Sequence, residues 1–187
     1  EGVARQLAAA NGFTDRIEFI QDLSTDITLP EPVDIIVSDL RGVLPLHEHH
    51  IAAVRDARRF LAPGGRFIPE KDGLRAAPVD APALYRDLVT PWEDHDDDLD
   101  FEAARSFATN RWAKVRVTGE QLLADTQTWT TLDYPRVEET NVSRELRWPI
   151  ERDGTLHGLC AWFVTTLTEG VSFSTGPEAP ERIYGSG

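Results

Sequence analysis

The chain of 187 residues predicts an α/β portion of the doubly wound, parallel-sheet type followed by an antiparallel β portion. Three observations carry this. Val33-Asp34-Ile35-Ile36-Val37 is a β-branched run that stops at Ser38-Asp39, and such a run reads as a buried strand. A Gly/Pro loop, a helix-period stretch and a second strand follow it, which is the grammar of a parallel sheet. After Pro69 the pattern changes to successive strand-like runs rich in Thr, Val, Trp and Leu.

Each element has its own signal. Residues 3–10 are strong helix formers, and Asn11-Gly12 supplies a stop. Residues 16–20 predict a short strand, left through the polar loop 21–25, and Pro30 and Pro32 bracket a turn before the strand at 33–37. Over 48–61 the apolar residues Ile51, Val54, Ala57, Phe60 and Leu61 recur at three- and four-residue spacing, which predicts an amphipathic helix. Ala62-Pro63-Gly64-Gly65 ends it and residues 66–69 begin a strand. Beyond lie a strand at 74–79, a short helix at 83–89 and an acidic run at 94–100. Strands are expected at 113–118, 126–134, 142–150 and 156–166, with Asp153-Gly154 as a hairpin signal between the last two. This half reads as an antiparallel barrel or sandwich, with the boundary near residue 70.

Composition narrows the function classes. A net charge of −13 argues against nucleic acid as a partner, because phosphate binding needs a basic face. The most continuous apolar stretch, 156–167, is interrupted by Gly158 and too short to cross a bilayer, so no membrane association is expected. Cys160 is the only cysteine, so no internal disulfide forms, which predicts a reducing, cytoplasmic setting. The chain has no methionine and opens inside a helical pattern, which predicts a fragment of a longer protein.

The candidate chemistry sits after the strand at 33–37. The carboxyl end of such a strand is where an open α/β sheet binds ligands, and Asp39 and Glu48 bracket the loop there as a candidate pair of carboxylates. The bland alternatives are that Asp39 caps a turn and that Glu48 favours the first turn of its helix. His47, His49 and His50 do not form a zinc motif with Glu48, because H-E-x-x-H needs histidine where Ile51 stands, and no metal is expected. The acidic run at 94–100 lacks the glycine and glutamate of a calcium loop. Cys160, in an apolar run without an adjacent base, reads as a small buried hydrophobe.

Four stretches resemble the protein arginine methyltransferase family of class I S-adenosylmethionine-dependent enzymes. They are Ala10-Asn11-Gly12 with Asp15-Arg16-Ile17; residues 33–39 through Gly42 to Glu48, similar to the family's double-acid loop; Leu61-Ala62-Pro63-Gly64-Gly65 with Phe67-Ile68-Pro69; and residues 173–180. The second and fourth are the more specific. The resemblance implies a Rossmann-like methyltransferase portion at 1–69, holding the C-terminal part of its sheet. It also implies a β-barrel-like substrate domain at 70–187 with an inserted arm at about 91–111 that forms a homodimer. The implied cofactor is S-adenosyl-L-methionine, with Asp22, Leu23, Ser24, Thr25 and His50 on the cofactor side. Asp39 and Glu48 are the implied catalytic acids, and Ser38, Arg41 and Tyr184 complete the acceptor side. The implied substrate is an arginine in a protein or peptide.

The chain also departs from the family pattern. No G-x-G-x-x-G occurs, Asp39 stands where glutamate is usual, and Arg182-Ile183-Tyr184 stands where Thr-His-Trp is usual. Two alternatives follow from these departures: a methyltransferase with a small-molecule or other acceptor, and an inactive relative that serves as an interaction domain.

Overall fold

The computed structural model describes residues 2–46, 49–94, 99–150 and 152–179. The chain opens with helix α1 (Gly2–Ala10), and Asn11 closes it by donating its backbone N–H and its side-chain amide to the Leu7 carbonyl. A single 3-10 turn, Thr14–Arg16, follows. The strand expected at 16–20 is not formed: the segment has no ladder partner, and Arg5 instead donates to the Phe19 carbonyl at 3.1 Å.

Strands β1 (Val33–Val37) and β2 (Leu61–Ile68) form a parallel pair, with Val33 opposite Leu61 and Val37 opposite Ile68. Between them lies helix α2 (His50–Ala57), which turns into a 3-10 segment at Arg58–Phe60. The helix is therefore shorter than the 48–61 pattern suggests. Arg58 accounts for this: it leaves the helix to donate to the Tyr134 and Val137 carbonyls, which ties the turn to the far sheet. The Pro-Gly-Gly segment is taken into β2 as a bulge, where the register with β1 shifts. A Cβ on Gly65 would stand 2.8 Å from Leu61 Cδ1 and 2.9 Å from the Asp34 carbonyl, so the close strand approach requires glycine.

A second, antiparallel sheet has the order β4–β3–β5–β6, from β3 (Lys71–Val79), β4 (Gln127–Asp133), β5 (Gly158–Thr168) and β6 (Val171–Ser174). It is open among the described residues, and a closed barrel is not seen. The segments 113–118 and 142–150, expected as strands, carry no ladder; the latter is tied to β4 through the Gln127 side chain, which donates to the Arg147 carbonyl. With 142–150 unpaired, Asp153-Gly154 is not a hairpin turn, and β5 pairs with β3 and β6 instead.

Helix α3 (Pro82–Leu88) leaves β3 and leads through a 3-10 turn to helix α4 (Glu102–Thr109). Arg105 pairs with both Glu102 and Glu93, and Tyr85 donates to Glu93 at 2.7 Å. Trp92, Leu99, Phe107 and Trp112 are exposed on this excursion. No helix among the described residues is long and apolar enough to cross a membrane.

One core cluster serves both sheets. Ile51 and Val54 of α2 and Phe67 of β2 pack with Leu74, Leu132, Tyr134 and Phe163 of the antiparallel sheet and its edge. A smaller cluster gathers Val79, Ala81 and Val117, with Cys160 half-buried against it. The site described next lies against the larger cluster.

Candidate active site

β1 delivers the chain to the acid loop. Ser38, half-buried, extends the ladder by donating its N–H to the Ile68 carbonyl at 3.0 Å. Beyond it Asp39 is 64% exposed while Arg41 turns inward and is 5% exposed. Gly42, with φ of 60°, lets the chain reverse in a conformation that side chains resist. Leu44, Pro45 and Leu46 then pin the loop to the core. The loop is thus a short excursion with Arg41 and Pro45 buried, Leu44 and Leu46 half-buried, and Asp39, Leu40 and Val43 presented to solvent.

Arg41 is the centre of a buried polar cluster. Its Nε and Nη2 donate to Asp39 Oδ1 at 3.2 and 3.0 Å. Its Nη1 donates to Thr165 Oγ1 at 2.8 Å and to Asp72 Oδ1 at 3.2 Å. Asp72, 0% exposed, also accepts from Thr165 Oγ1 and from the Tyr134 hydroxyl, each at 2.6 Å. The Phe163 and Phe173 ring centroids lie 5.4 and 5.5 Å from the guanidinium carbon, within cation–π range.

Burial alone would lower the Arg41 pKa, but the Asp72 and Asp39 carboxylates outweigh it and hold the guanidinium above its ordinary value. The Tyr134 hydroxyl is pushed up, first by burial and then by the Asp72 charge and hydrogen bond, so it stays a donor. A buried carboxylate that takes these donors and one cation meets the condition for burying charge: pairing with hydrogen bonding.

His50 begins α2 beneath this cluster. It is 3% exposed and meets the Tyr134 ring edge-on, with centroids 5.1 Å apart. Both of its ring nitrogens are buried without a hydrogen-bond partner among the described residues. Burial holds its pKa below the ordinary histidine value, with Asp72 opposing and Arg41 adding to the shift. A lowered folded-state pKa means that the unfolded chain binds the extra proton, so stability is full above the unfolded value of about 6.5 and declines as pH falls below it. Relative to His50→Leu, the wild-type melting temperature should therefore drop between pH 7 and pH 5. Parallel pH profiles of the two proteins would show that His50 does not titrate with unfolding.

Among the other sequence-predicted residues, Asp22, Leu23, Ser24 and Thr25 belong to an exposed stretch. Asp22 Oδ1 accepts the Leu23 N–H at 2.8 Å, and Arg59 clamps the Ser24, Thr25 and Ile27 carbonyls. The structure therefore brings Asp39, Arg41 and His50 to one cluster, whereas Ser38 is held on the ladder to β2 and the 22–25 segment through Arg59. Glu48 and Tyr184, like 95–98 of the acidic run, lie outside the described residues. No group of three His, Cys, Asp or Glu among the described residues is arranged to hold a metal.

Sequence reasoning missed Asp72, Tyr134 and Thr165. Asp72 carried a readable signal, since it shares the alternation of Leu74 and Ala76 and so places a charge on the buried phase of a strand. Thr165 likewise shares the phase of Phe163. Tyr134 shares the phase of Leu132 in the strand expected at 126–134, although in the structure it lies just past the end of β4.

The family model for the arginine methyltransferase oligomerization subdomain matches residues 73–182. The chain belongs to the protein arginine methyltransferase family. It is 33% identical over 190 residues to human protein arginine N-methyltransferase 2, covering 94% of this chain and 44% of that protein. To the probable protein arginine N-methyltransferase 1.2 of Arabidopsis thaliana it is 27% identical over 183 residues, covering 94% of this chain and 50% of that one. The chain thus spans half or less of the length of these family members.

Among solved structures, the Trypanosoma brucei PRMT1 enzyme–prozyme heterotetrameric complex with AdoHcy superposes with a TM-score of 0.83 at 25% identity, covering 95% of this chain and 58% of that one. A crystal structure of PRMT6 matches with a TM-score of 0.71 at 17% identity, over 97% and 66% of the two chains, a likeness of fold alone.

Proposed function

We propose that the protein to which this chain belongs transfers a methyl group from S-adenosylmethionine to a guanidinium nitrogen of an arginine in a protein or peptide. The observation that carries the reading is Asp39, presented to solvent at the end of β1 in an acid loop, in a chain of this family. Arginine is a poor nucleophile because its guanidinium is protonated and delocalised. Two carboxylates can grip its fork through charge-assisted hydrogen bonds, draw positive charge to their side and leave one terminal nitrogen more nucleophilic. Asp39 and Glu48 are the proposed pair.

The proposed division of labour gives residues 1–69 to the cofactor and 70–187 to the acceptor, with dimerisation through the 91–111 arm. The exposed Trp92, Leu99 and Phe107 on the arm support the last point. For the cofactor, a base-binding turn needs a fixed backbone with polar and apolar surface side by side. The 22–25 segment fits this: Arg59 holds its carbonyls and Leu23 is exposed beside Asp22 and Thr25. The cofactor supplies the electrophilic methyl group, and Asp22, Ser24 and Thr25 are the proposed acceptors of its adenine amino hydrogens. His50, buried against Tyr134, would act from beneath the loop.

The test uses the full-length parent protein. Isothermal titration with S-adenosylmethionine should show binding, and labelled methyl should pass to arginine-rich peptides. Glu48→Gln should lower turnover by about 10²–10³-fold, the usual cost of removing one electrostatic partner of a reacting group. Absence of cofactor binding overturns the enzymatic reading and leaves the interaction-domain reading standing.

A second reading, methyl transfer to a less cationic acceptor, is favoured by the Arg41–Asp39 ion pair, since a cation already on Asp39 weakens its attraction for another. Transfer to small neutral nucleophiles but not to arginine peptides would select it.

A further inference from the structure

We propose that Arg41 is a positioning residue for Asp39: the antiparallel sheet, acting through Arg41, sets the direction in which the exposed acid presents its carboxylate. The inference rests on the methyl-transfer reading for its functional consequence but stands on geometry of its own. A guanidinium is planar, with its donors in a fixed fork, so fixing one edge fixes the other. The inner edge is fixed several times over. Nη1 reaches Thr165 Oγ1 at 2.8 Å and Asp72 Oδ1 at 3.2 Å. The Thr165 hydroxyl donates a hydrogen bond to Asp72 Oδ1 at 2.6 Å, and the Tyr134 hydroxyl donates to the other Asp72 oxygen at 2.6 Å.

The Phe163 and Phe173 rings, with centroids 6.2 Å apart, both lie within cation–π range of the guanidinium carbon. The outer edge, Nε and Nη2, converges on a single oxygen, Asp39 Oδ1. An exposed carboxylate two residues past a strand would ordinarily sample its rotamers. Here it is tethered to a guanidinium that is 5% exposed and anchored on β3 and β5. The residues that orient the acid are therefore on the opposite sheet from the strand that carries it.

Thr165→Val tests this, because it removes two hydrogen bonds from the anchor, the one from Arg41 Nη1 and the one to Asp72, and leaves both Arg41 and Asp39 in place. In the 187-residue chain, the Arg41 Nε–H should give a discrete, slowly exchanging NMR resonance. That resonance should shift in Asp39→Asn, a change at an exposed side chain that the fold tolerates. In Thr165→Val its exchange should quicken about tenfold or more, the protection of a hydrogen-bonded group being lost with its anchor.

In the full-length parent, Thr165→Val and Arg41→Lys should lower kcat about tenfold or more while leaving cofactor affinity unchanged, as misplacement of a reacting group does. Arg41→Lys should retain more activity than Arg41→Gln. A Thr165→Val protein that melts at a lower temperature but keeps the Nε–H exchange rate and kcat of wild type would overturn the proposal and leave the cluster purely structural. A wild-type parent that methylates no arginine peptide would sink the methyl-transfer reading, and the NMR comparison would still decide whether Arg41 is held by the far sheet and holds Asp39.

Discussion

Asp72→Ala is expected to destabilise the chain by about 3–5 kcal/mol, the usual cost of removing one partner from a buried ion pair. Asp72 is 0% exposed and its Arg41 partner 5% exposed, so neither has water to fall back on. The substitution strands a guanidinium among Phe163, Phe173 and Thr165 and removes the acceptor of the Tyr134 hydroxyl. Asp39 remains as a partner of Arg41, but its side chain is exposed and the interaction is screened, so it offsets little of the loss. The double variant Arg41→Leu/Asp72→Leu should recover part of the stability, because replacing a buried pair by apolar groups is close to neutral, while the Tyr134 and Thr165 hydroxyls still lose their acceptor. Urea unfolding followed by tryptophan fluorescence reads both. If the single and double variants are equally destabilised, the loss comes from packing and not from an unpaired charge.

Phe67→Ala should cost about 3–5 kcal/mol, the range for truncating a buried phenylalanine. Phe67 is 2% exposed, lies on β2 of the parallel pair, and packs in one cluster with residues of α2, β3, β4 and β5. The cavity it leaves would open between the two sheets. Because that cluster belongs to both, denaturation should stay a single transition in the variant as in wild type, with a lower midpoint and an unchanged slope. Two separated transitions in the wild-type chain would mean that the sheets unfold independently and that the shared cluster contributes little.

The sequence made some of this legible for physical reasons. The strand at 33–37 stood out by its β-branched run, although it is not the buried strand that run suggests, since Ile35 and Val37 are exposed. The helix behind it stood out because it buries Ile51 and Val54 on one face, and burial writes periodicity into a sequence. The strands at 74–79 and 126–134 were visible on the same ground, within a few residues of β3 and β4. Segments 16–20, 113–118 and 142–150 misled because β-branched and aromatic composition marks an extended chain and cannot say whether a partner strand lies alongside. The long helix ended early because Arg58 found its carbonyl partners some 76 residues or more away, a contact that no local window contains.

At the site, Asp39 is legible from its place at a strand end, and its pairing with Arg41 from their separation of two residues. Asp72 and Thr165 could not be joined to Arg41 in advance, since only the register of β3 against β5 sets them opposite one another. The charge on the buried phase of β3 was the one written hint that a partner had to exist.

The 124-residue separation of Arg41 and Thr165 has a consequence for how the protein is made. At about 5–20 residues per second, the ribosome delivers Thr165 roughly 6–25 s after Arg41, long after the acid loop has left the exit tunnel. During that interval Arg41 has Asp39 and, after a few seconds more of synthesis, Asp72, but neither β5 nor its two flanking rings exist to bury it. The loop is thus synthesised well before the strand that completes the surroundings of its arginine.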